Sequence, residues 1–149
     1  MKKSFRGQIK SGTQQTIRLS TNNGLIGYIV TDFRIIGANP TVNEDEAVLK
    51  VFSTEPPAID ALVDLSDPTL LAVGLYTGRA TTRSFPINEI VIFESVKINQ
   101  DIFITSVETV TANPVNYYIE LEQVKLDLNE ATVATLRDMR AGPDTNFGP

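Results

Sequence analysis

The side chains that could do chemistry in this chain are carboxylates and arginines, because it contains no histidine and no cysteine. That absence removes the commonest general acid–base residue, the Ser-His-Asp triad and the thiolate nucleophile. Three charged sets remain: the acidic run 44–46, the aspartates of segment 60–67, and a loop that carries Arg79 and Arg83. Each set has a structural interpretation as well as a functional one.

The acidic run 44–46 could bind calcium, which prefers several carboxylate oxygens. It lacks the alternating spacing and the glycine of an EF-hand loop, so a solvated loop is the favoured interpretation and a cation site the alternative. Asp60, Asp64 and Asp67 form a second acidic set, for which we favour structural roles, including a cap before Pro68. The chain has no phosphate-binding or dinucleotide-binding glycine motif, so we expect no metal and no cofactor.

Carboxylates on predicted strands are the other possible catalysts. A pair such as Glu120 and Glu122 could hydrolyse a glycoside. Two carboxylates at positions i and i+2 of a strand are, however, also typical of a solvent-exposed strand face. The chain has no tryptophan to form a sugar-binding platform. We therefore expect no enzymatic activity and no catalytic residue.

Arginines and aromatic residues are the candidates for binding a partner. Arg79 and Arg83 share one predicted loop, where two guanidinium groups could grip a carboxylate, a phosphate or an acidic neighbouring subunit. An exposed basic loop without a partner is the commoner outcome. Tyr117 and Tyr118 point to opposite faces of a regular strand, so one belongs to the core and the other to the surface or an interface. Phe147 is the only aromatic of a polar terminal segment, which is either a disordered tail or an anchor into a partner.

Composition narrows the class of protein. The chain has 149 residues, a net charge of −5 and a pI of about 4.7, which disfavours direct binding to nucleic acid. Met1-Lys2-Lys3 begins like a signal peptide, but polar residues follow where an apolar run is needed, so we expect neither a signal peptide nor a membrane segment. The lack of cysteine fits synthesis in a reducing cytoplasm.

The elements that must position these residues are mostly strands. Val, Ile and Thr are abundant, and turn residues separate short apolar segments. We predict an all-β, antiparallel β-sandwich or jelly-roll-like fold of about eight strands with one short C-terminal helix. One domain is expected over residues 1–143, followed by a tail over 144–149. The predicted strands are Phe5–Ile9, Gln15–Leu19, Leu25–Ile36, Ala47–Phe52, Leu70–Tyr76, Ile87–Ile98, Asp101–Val110 and Val115–Leu128.

Turn positions predict how some strands connect. Ser11-Gly12 predicts a hairpin between the first two strands, and Asn99-Gln100 predicts one between the sixth and seventh. The strand Leu70–Tyr76 shows little alternation, which predicts burial on both faces. Segment 54–68 could contain one short helical turn on a sheet edge, formed by its aliphatic residues Ile59, Leu62, Val63 and Leu65.

Hydrophobic phase predicts finer features. In Leu25–Ile36 the odd positions share one face, and Thr31 breaks the pattern. In the last strand the apolar set changes phase after Leu121, which predicts a β-bulge or bend near 122–123. Asp127 and Glu130 have capping-box spacing, and apolar residues at helical spacing follow, so a helix is expected over about 130–141.

In its architecture the whole chain resembles small jelly-roll or sandwich virion proteins of bacteriophages, of the capsid, decoration or spike-base type. The most suggestive part is the stretch Asn116–Glu122 running into Leu128–Leu136. The resemblance implies a homo-oligomer that self-associates or binds other virion proteins, made in the host cytoplasm and located in the virion. Contact elements would be the arm 1–10, the loop 77–86 and the tail 144–149. The interface candidates are Phe5, Arg79, Arg83, Tyr118 and Phe147.

A function of another class stays open beside the resemblance. A monomeric, lectin-like sandwich that binds a ligand would need a concave sheet face with exposed aromatic side chains. With four tyrosines, seven phenylalanines and no tryptophan, the composition favours this alternative less than the virion role.

Overall fold

The structure is a computed structural model that describes residues 1–19, 25–40, 45–78 and 87–141, with the side chains of 88–136 in the last range. These residues form eight strands and one helix, which confirms the predicted all-β sandwich with a short C-terminal helix. The elements are β1 (Lys2–Ile9), β2 (Thr13–Ile17), β3 (Ile26–Gly37), β4 (Glu46–Phe52), β5 (Leu70–Thr77), β6 (Ile87–Ile92), β7 (Ile102–Glu108), β8 (Val115–Lys125) and α1 (Leu128–Ala141).

The strands form two antiparallel sheets of unequal width. One sheet has the order β1-β8-β3, and the other has the order β2-β7-β4-β5-β6. Their inward side chains make one continuous apolar core, in which Phe33, Leu49, Ile104 and Ile119 are fully buried. Most strand pairs join segments that are distant in sequence, as expected of a sandwich with crossed connections.

Both predicted hairpins are wrong, although the turn at Ser11-Gly12 exists. Gly12 lies in a tight turn after β1, with φ of 76°. Instead of pairing with β1, β2 crosses to the other sheet and pairs with β7. Likewise β6 pairs with β5, whereas β7 pairs with β2 and β4. Turn residues determine where the chain reverses, whereas the burial of apolar side chains determines which strands pair. Ile9 and Ile17 both reach that core because their strands lie in opposite sheets.

The β-bulge lies in β3, not in β8 as predicted. The register of β3 on β8 skips Thr31, and the buried residues change from Tyr28 and Val30 before it to Phe33 and Ile35 after it. The even positions thus face the core in the first half of β3, which corrects the predicted odd-numbered face. β8 has no bulge, because it stays in register with β3 up to Lys125. The change of phase of its apolar residues after Leu121 lies close to the end of the strand.

The helix begins with the predicted capping box. The Glu130 N–H donates to Asp127 Oδ1 at 2.7 Å, and the Asp127 N–H donates to Glu130 Oε1 at 3.4 Å. Among the helix side chains that the structure describes, up to residue 136, the buried ones are small: Ala131 and Ala134. The fully buried Asn99 fastens the helix by donating its amide to Thr135 Oγ1 at 2.9 Å.

A buried carboxylate organises one end of the sandwich. Glu108, at the end of β7, accepts the N–H groups of Glu46 at 2.8 Å and Val110 at 2.9 Å, and also that of Thr111. The Thr111 hydroxyl lies 2.8 Å from Glu108 Oε2 and 2.6 Å from Asp45 Oδ1. Asp45 is itself buried, which corrects the expectation that the acidic run is solvated throughout. Glu44 lies outside the described residues.

The protonation of Glu108 follows from this environment. Burial alone would raise its pKa, but the hydrogen bonds from Glu46, Val110 and Thr111 outweigh burial and hold the pKa below its ordinary value. A carboxylate with a lowered pKa stabilises the fold above its unfolded-state pKa, and that contribution is lost as the pH falls.

Replacing Glu108 with Gln is expected to lower the free energy of unfolding at pH 7 by about 2 kcal/mol, because an amide NH2 then meets N–H donors. The difference from wild type should shrink as the pH falls below the ordinary Glu pKa of about 4.3, because the carboxylate of the unfolded chain is protonated first and that of the folded chain only at lower pH. Urea unfolding at several pH values measures both effects, with the exposed Glu94→Gln as a control. Equal stability of E108Q and wild type at pH 7 would contradict this role.

Candidate docking surfaces

A groove lies along the side of the sandwich where β3 and β6 are the edge strands. On the opposite side, the turn at Gly12 joins β1 to β2 and ties the two sheets together. At the β3–β6 side no described connection crosses between the sheets, and the groove has a volume of about 1050 Å³. The unequal width of the sheets explains it, because β3 packs across β5 and β6 and leaves part of β6 uncovered.

The inner wall of the groove is apolar. Ile90 and Ile92 of β6 pack against the core but remain partly exposed. They come close to β3 because β5 has a glycine beneath them. A Cβ on Gly74 would lie 2.8 Å from Ile90 Cδ1 and 2.9 Å from Ile35 Cδ1. The Asn88 amide reaches across the groove and donates to the outward carbonyl of Ile35 at 3.3 Å.

The outer wall carries an aromatic ring between two cations. Arg6, Tyr118 and Arg34 lie side by side, because β1, β8 and β3 pair them in register. Arg34 Nε lies 3.0 Å from Asp32 Oδ2, and Ile36 is 50% exposed next to them. The groove therefore combines aliphatic and aromatic walls with a mostly positive rim.

The two tyrosines of β8 separate as the sequence predicts. Tyr117 is buried and donates its hydroxyl to Gln15 Oε1 at 2.9 Å, and burial raises the pKa of its phenol. Tyr118 is 36% exposed and lines the groove. Tyr118 is thus the one interface candidate that the described residues place on this surface.

The other interface candidates lie elsewhere. Phe5 packs against the main core and is only partly buried, so intramolecular packing accounts for part of its surface. Arg79, Arg83 and Phe147 lie outside the described residues. Within the described ranges, no group of three or more His, Cys, Asp or Glu side chains is placed to hold a metal ion.

A second surface is formed by the connection between β4 and β5, residues 53–69, which we name the strap. The strap covers a small apolar cluster on the outer face of the five-stranded sheet, made of Phe52, Leu70 and Val73. This cover explains why β5 is buried on both faces from Leu70 to Gly74, as predicted, whereas Leu75 is 41% exposed. The predicted helical turn within the strap is wrong, because none of its residues is helical.

A buried lysine anchors the strap. Lys50 projects from β4, and its side chain is 6% exposed. Its ammonium group donates to Asp60 Oδ1 at 2.9 Å and to the Leu62 carbonyl at 2.7 Å, and it lies 5.6 Å from the centre of the Phe52 ring. The hydrogen bond from Lys50 holds the pKa of Asp60 below its ordinary value.

The anchored strap presents aliphatic side chains to solvent. We name residues 59–65 the apex. Asp64 closes a turn with Ser66, and Asp67 does so with Thr69, which confirms their structural roles. The strap contains four carboxylates and no Lys or Arg. The exposed apex residues are Ile59 (36%), Leu62 (77%), Val63 (47%) and Leu65 (53%).

The helix carries a third apolar surface. Leu128 is 74% exposed, Val133 is 64% exposed and Leu136 is 45% exposed. The spacing of Val133, Leu136 and Met139 predicts the helix correctly, but Val133 and Leu136 face solvent, and the buried residues among the described side chains are alanines. The side chain of Met139 lies outside the described residues. Among the described residues, no helix combines the length and apolar character needed to cross a lipid bilayer.

Sequence reasoning missed both the groove and the strap. One signal for the strap was present, because Lys50 interrupts an apolar strand whose neighbours on both sides are hydrophobic. A charge at such a position needs a partner, and the segment that follows β4 contains four carboxylates. The groove had no local signal, because it depends on the relative width of two sheets.

Comparisons with known proteins identify no relative of this chain. No protein-family model matches the chain, and neither the curated proteins nor the solved structures contain a match. The surfaces themselves are therefore the basis for inferring a function.

Replacing Asp60 with Asn is expected to loosen the strap, because Lys50 then keeps a buried charge without its counterion. We expect a loss of about 1–2 kcal/mol in the free energy of unfolding, discounted because Asp60 is half-exposed. Limited proteolysis should show faster cleavage within residues 55–66. Asp64→Asn, which leaves the lysine contact intact, is the matched control. Unchanged cleavage in D60N would show that Lys50 does not anchor the strap.

Proposed function

We propose that this chain is a non-catalytic structural subunit of a bacteriophage particle, acting as a capsid, decoration or minor virion protein. It works by self-association or by attachment to a capsid lattice, with itself and other virion proteins as partners. The observation that carries the proposal is the exposure of two apolar surfaces, the groove and the strap apex, on a sandwich with a well-packed core.

Physical chemistry supports an associating subunit. An apolar surface that stays in contact with water lowers solubility, and proteins tend to keep such surfaces where a partner covers them. The apex is held in place by Lys50, so little conformational entropy is lost when it binds. The groove lies between two edge strands, which proteins otherwise protect from pairing with other chains. The anchored apex and the groove both favour contact with another protein over surfaces that remain exposed to solvent.

The alternative is a monomeric, lectin-like module that binds a ligand in the groove. The specific observation in its favour is the groove's mixed lining, in which Tyr118 lies near the polar side chains of Asp32, Asn88 and Asn116. An aromatic ring beside amides and a carboxylate is a typical way to bind a saccharide. A glycan array with wild type and Tyr118→Ala would test it, and hits lost in the variant would favour this module.

Self-association is tested first by light scattering on the purified chain over a concentration series. We expect a discrete oligomer or particle whose population grows with concentration, because burial of apolar surface drives association. Size-exclusion chromatography on dilution serves as the control for non-specific aggregation. A monomer at every concentration would contradict self-association of the chain, and co-sedimentation with capsids would then test lattice attachment.

Deleting residues 144–149 is expected to weaken assembly without unfolding the monomer. The expected role of the tail as a tether, with Phe147 as its anchor, motivates this variant. Phe147→Ala in the full chain is the conservative counterpart. Thermal unfolding checks that the fold is intact, and an oligomer of unchanged affinity in both variants would rule out the tether.

A further inference from the structure

We infer that the strap apex of one copy binds in the β3–β6 groove of a second copy. The inference rests on the proposed self-association and assigns its contact surfaces. The apex exposes aliphatic side chains, of which Leu62 is the most exposed. The groove is concave and lined by Ile36, Ile90, Ile92 and Tyr118. Contact would remove both surfaces from water at once.

The charges of the two surfaces are complementary. The strap has four carboxylates, and Asp60 is the one paired with Lys50, which leaves a net negative apex. The groove has Arg6 and Arg34 on its rim and one carboxylate, Asp32. Arg6 makes no ion pair with any described residue. An acidic apex approaching this rim is attracted, whereas a second groove would be repelled.

The contact must form between copies and not within one chain. The strap covers the outer face of the five-stranded sheet, and its cavity is lined by Lys50, Phe52 and strap residues. The groove is lined by β1, β3, β6 and β8, and no residue lines both surfaces. Among the described residues of one copy, the strap therefore does not reach its own groove. Such a head-to-tail contact builds a ring if the rotation closes and a filament if it does not.

This geometry permits a complementation test. Leu62→Asp damages the apex and leaves the groove intact, and Ile36→Asp damages the groove and leaves the apex intact. Both side chains are at least half-exposed, so the fold should tolerate the changes. Each variant alone is expected to lose at least about tenfold in association constant, because each removes a central apolar contact. An equimolar mixture should form a heterodimer through the one remaining good contact.

The control is Leu128→Asp, which places the same charge on the exposed helix face and is expected to leave the oligomer unchanged. Sedimentation velocity on each variant and on the mixture gives the readout, with circular dichroism to verify folding. Oligomers of wild-type affinity in both L62D and I36D would overturn this contact while self-association stands. A wild-type monomer at all concentrations would overturn self-association, and the contact with it. Loss of the oligomer in L128D alone would assign the interface to the helix face instead.

Discussion

Two sheets of three and five strands share one core, and this inequality shapes the rest of the molecule. The narrow sheet must cover the wide one, and β1 does so at one side because the Gly12 turn brings it over β2. The three-stranded sheet is too narrow to cover the other side as well, so Ile90 and Ile92 of β6 remain partly exposed. The presence of the groove is thus a direct result of strand count.

The wide sheet has the opposite problem on its outer face. Phe52, Leu70 and Val73 would be exposed there without the strap. An apolar loop cannot by itself hold a fixed position on a sheet, and the ion pair of Lys50 with Asp60 supplies that fixed point. The cost of burying an ammonium group is offset by a carboxylate, a carbonyl and an aromatic ring. The polar cluster around Glu108 fixes the other end of the sheet in a similar way.

The sequence predicts the features that depend on neighbouring residues. Strand positions, the double burial of β5 and the capping box of Asp127 and Glu130 follow from local alternation and spacing, and the structure has them. Features that depend on distant partners are not predictable in this way. The Gly12 turn is compatible with a hairpin or with a crossing between sheets, and a change of phase in β8 does not reveal that Thr31 of β3 is the extra residue. Alternation separates Tyr118 from Tyr117 and so identifies it as exposed, whereas most of the other groove residues come from β1, β3 and β6.

Gly74 links the interior to this outer surface. Ile35 and Ile90 meet above it at distances that leave no room for even one methyl group. The spacing between the two edge strands is therefore set from below, by an absent side chain in the core. A chain that diverged at this single buried position would have to move β6 away from β3. The shape of an exposed binding surface therefore depends on a buried residue that no partner would contact.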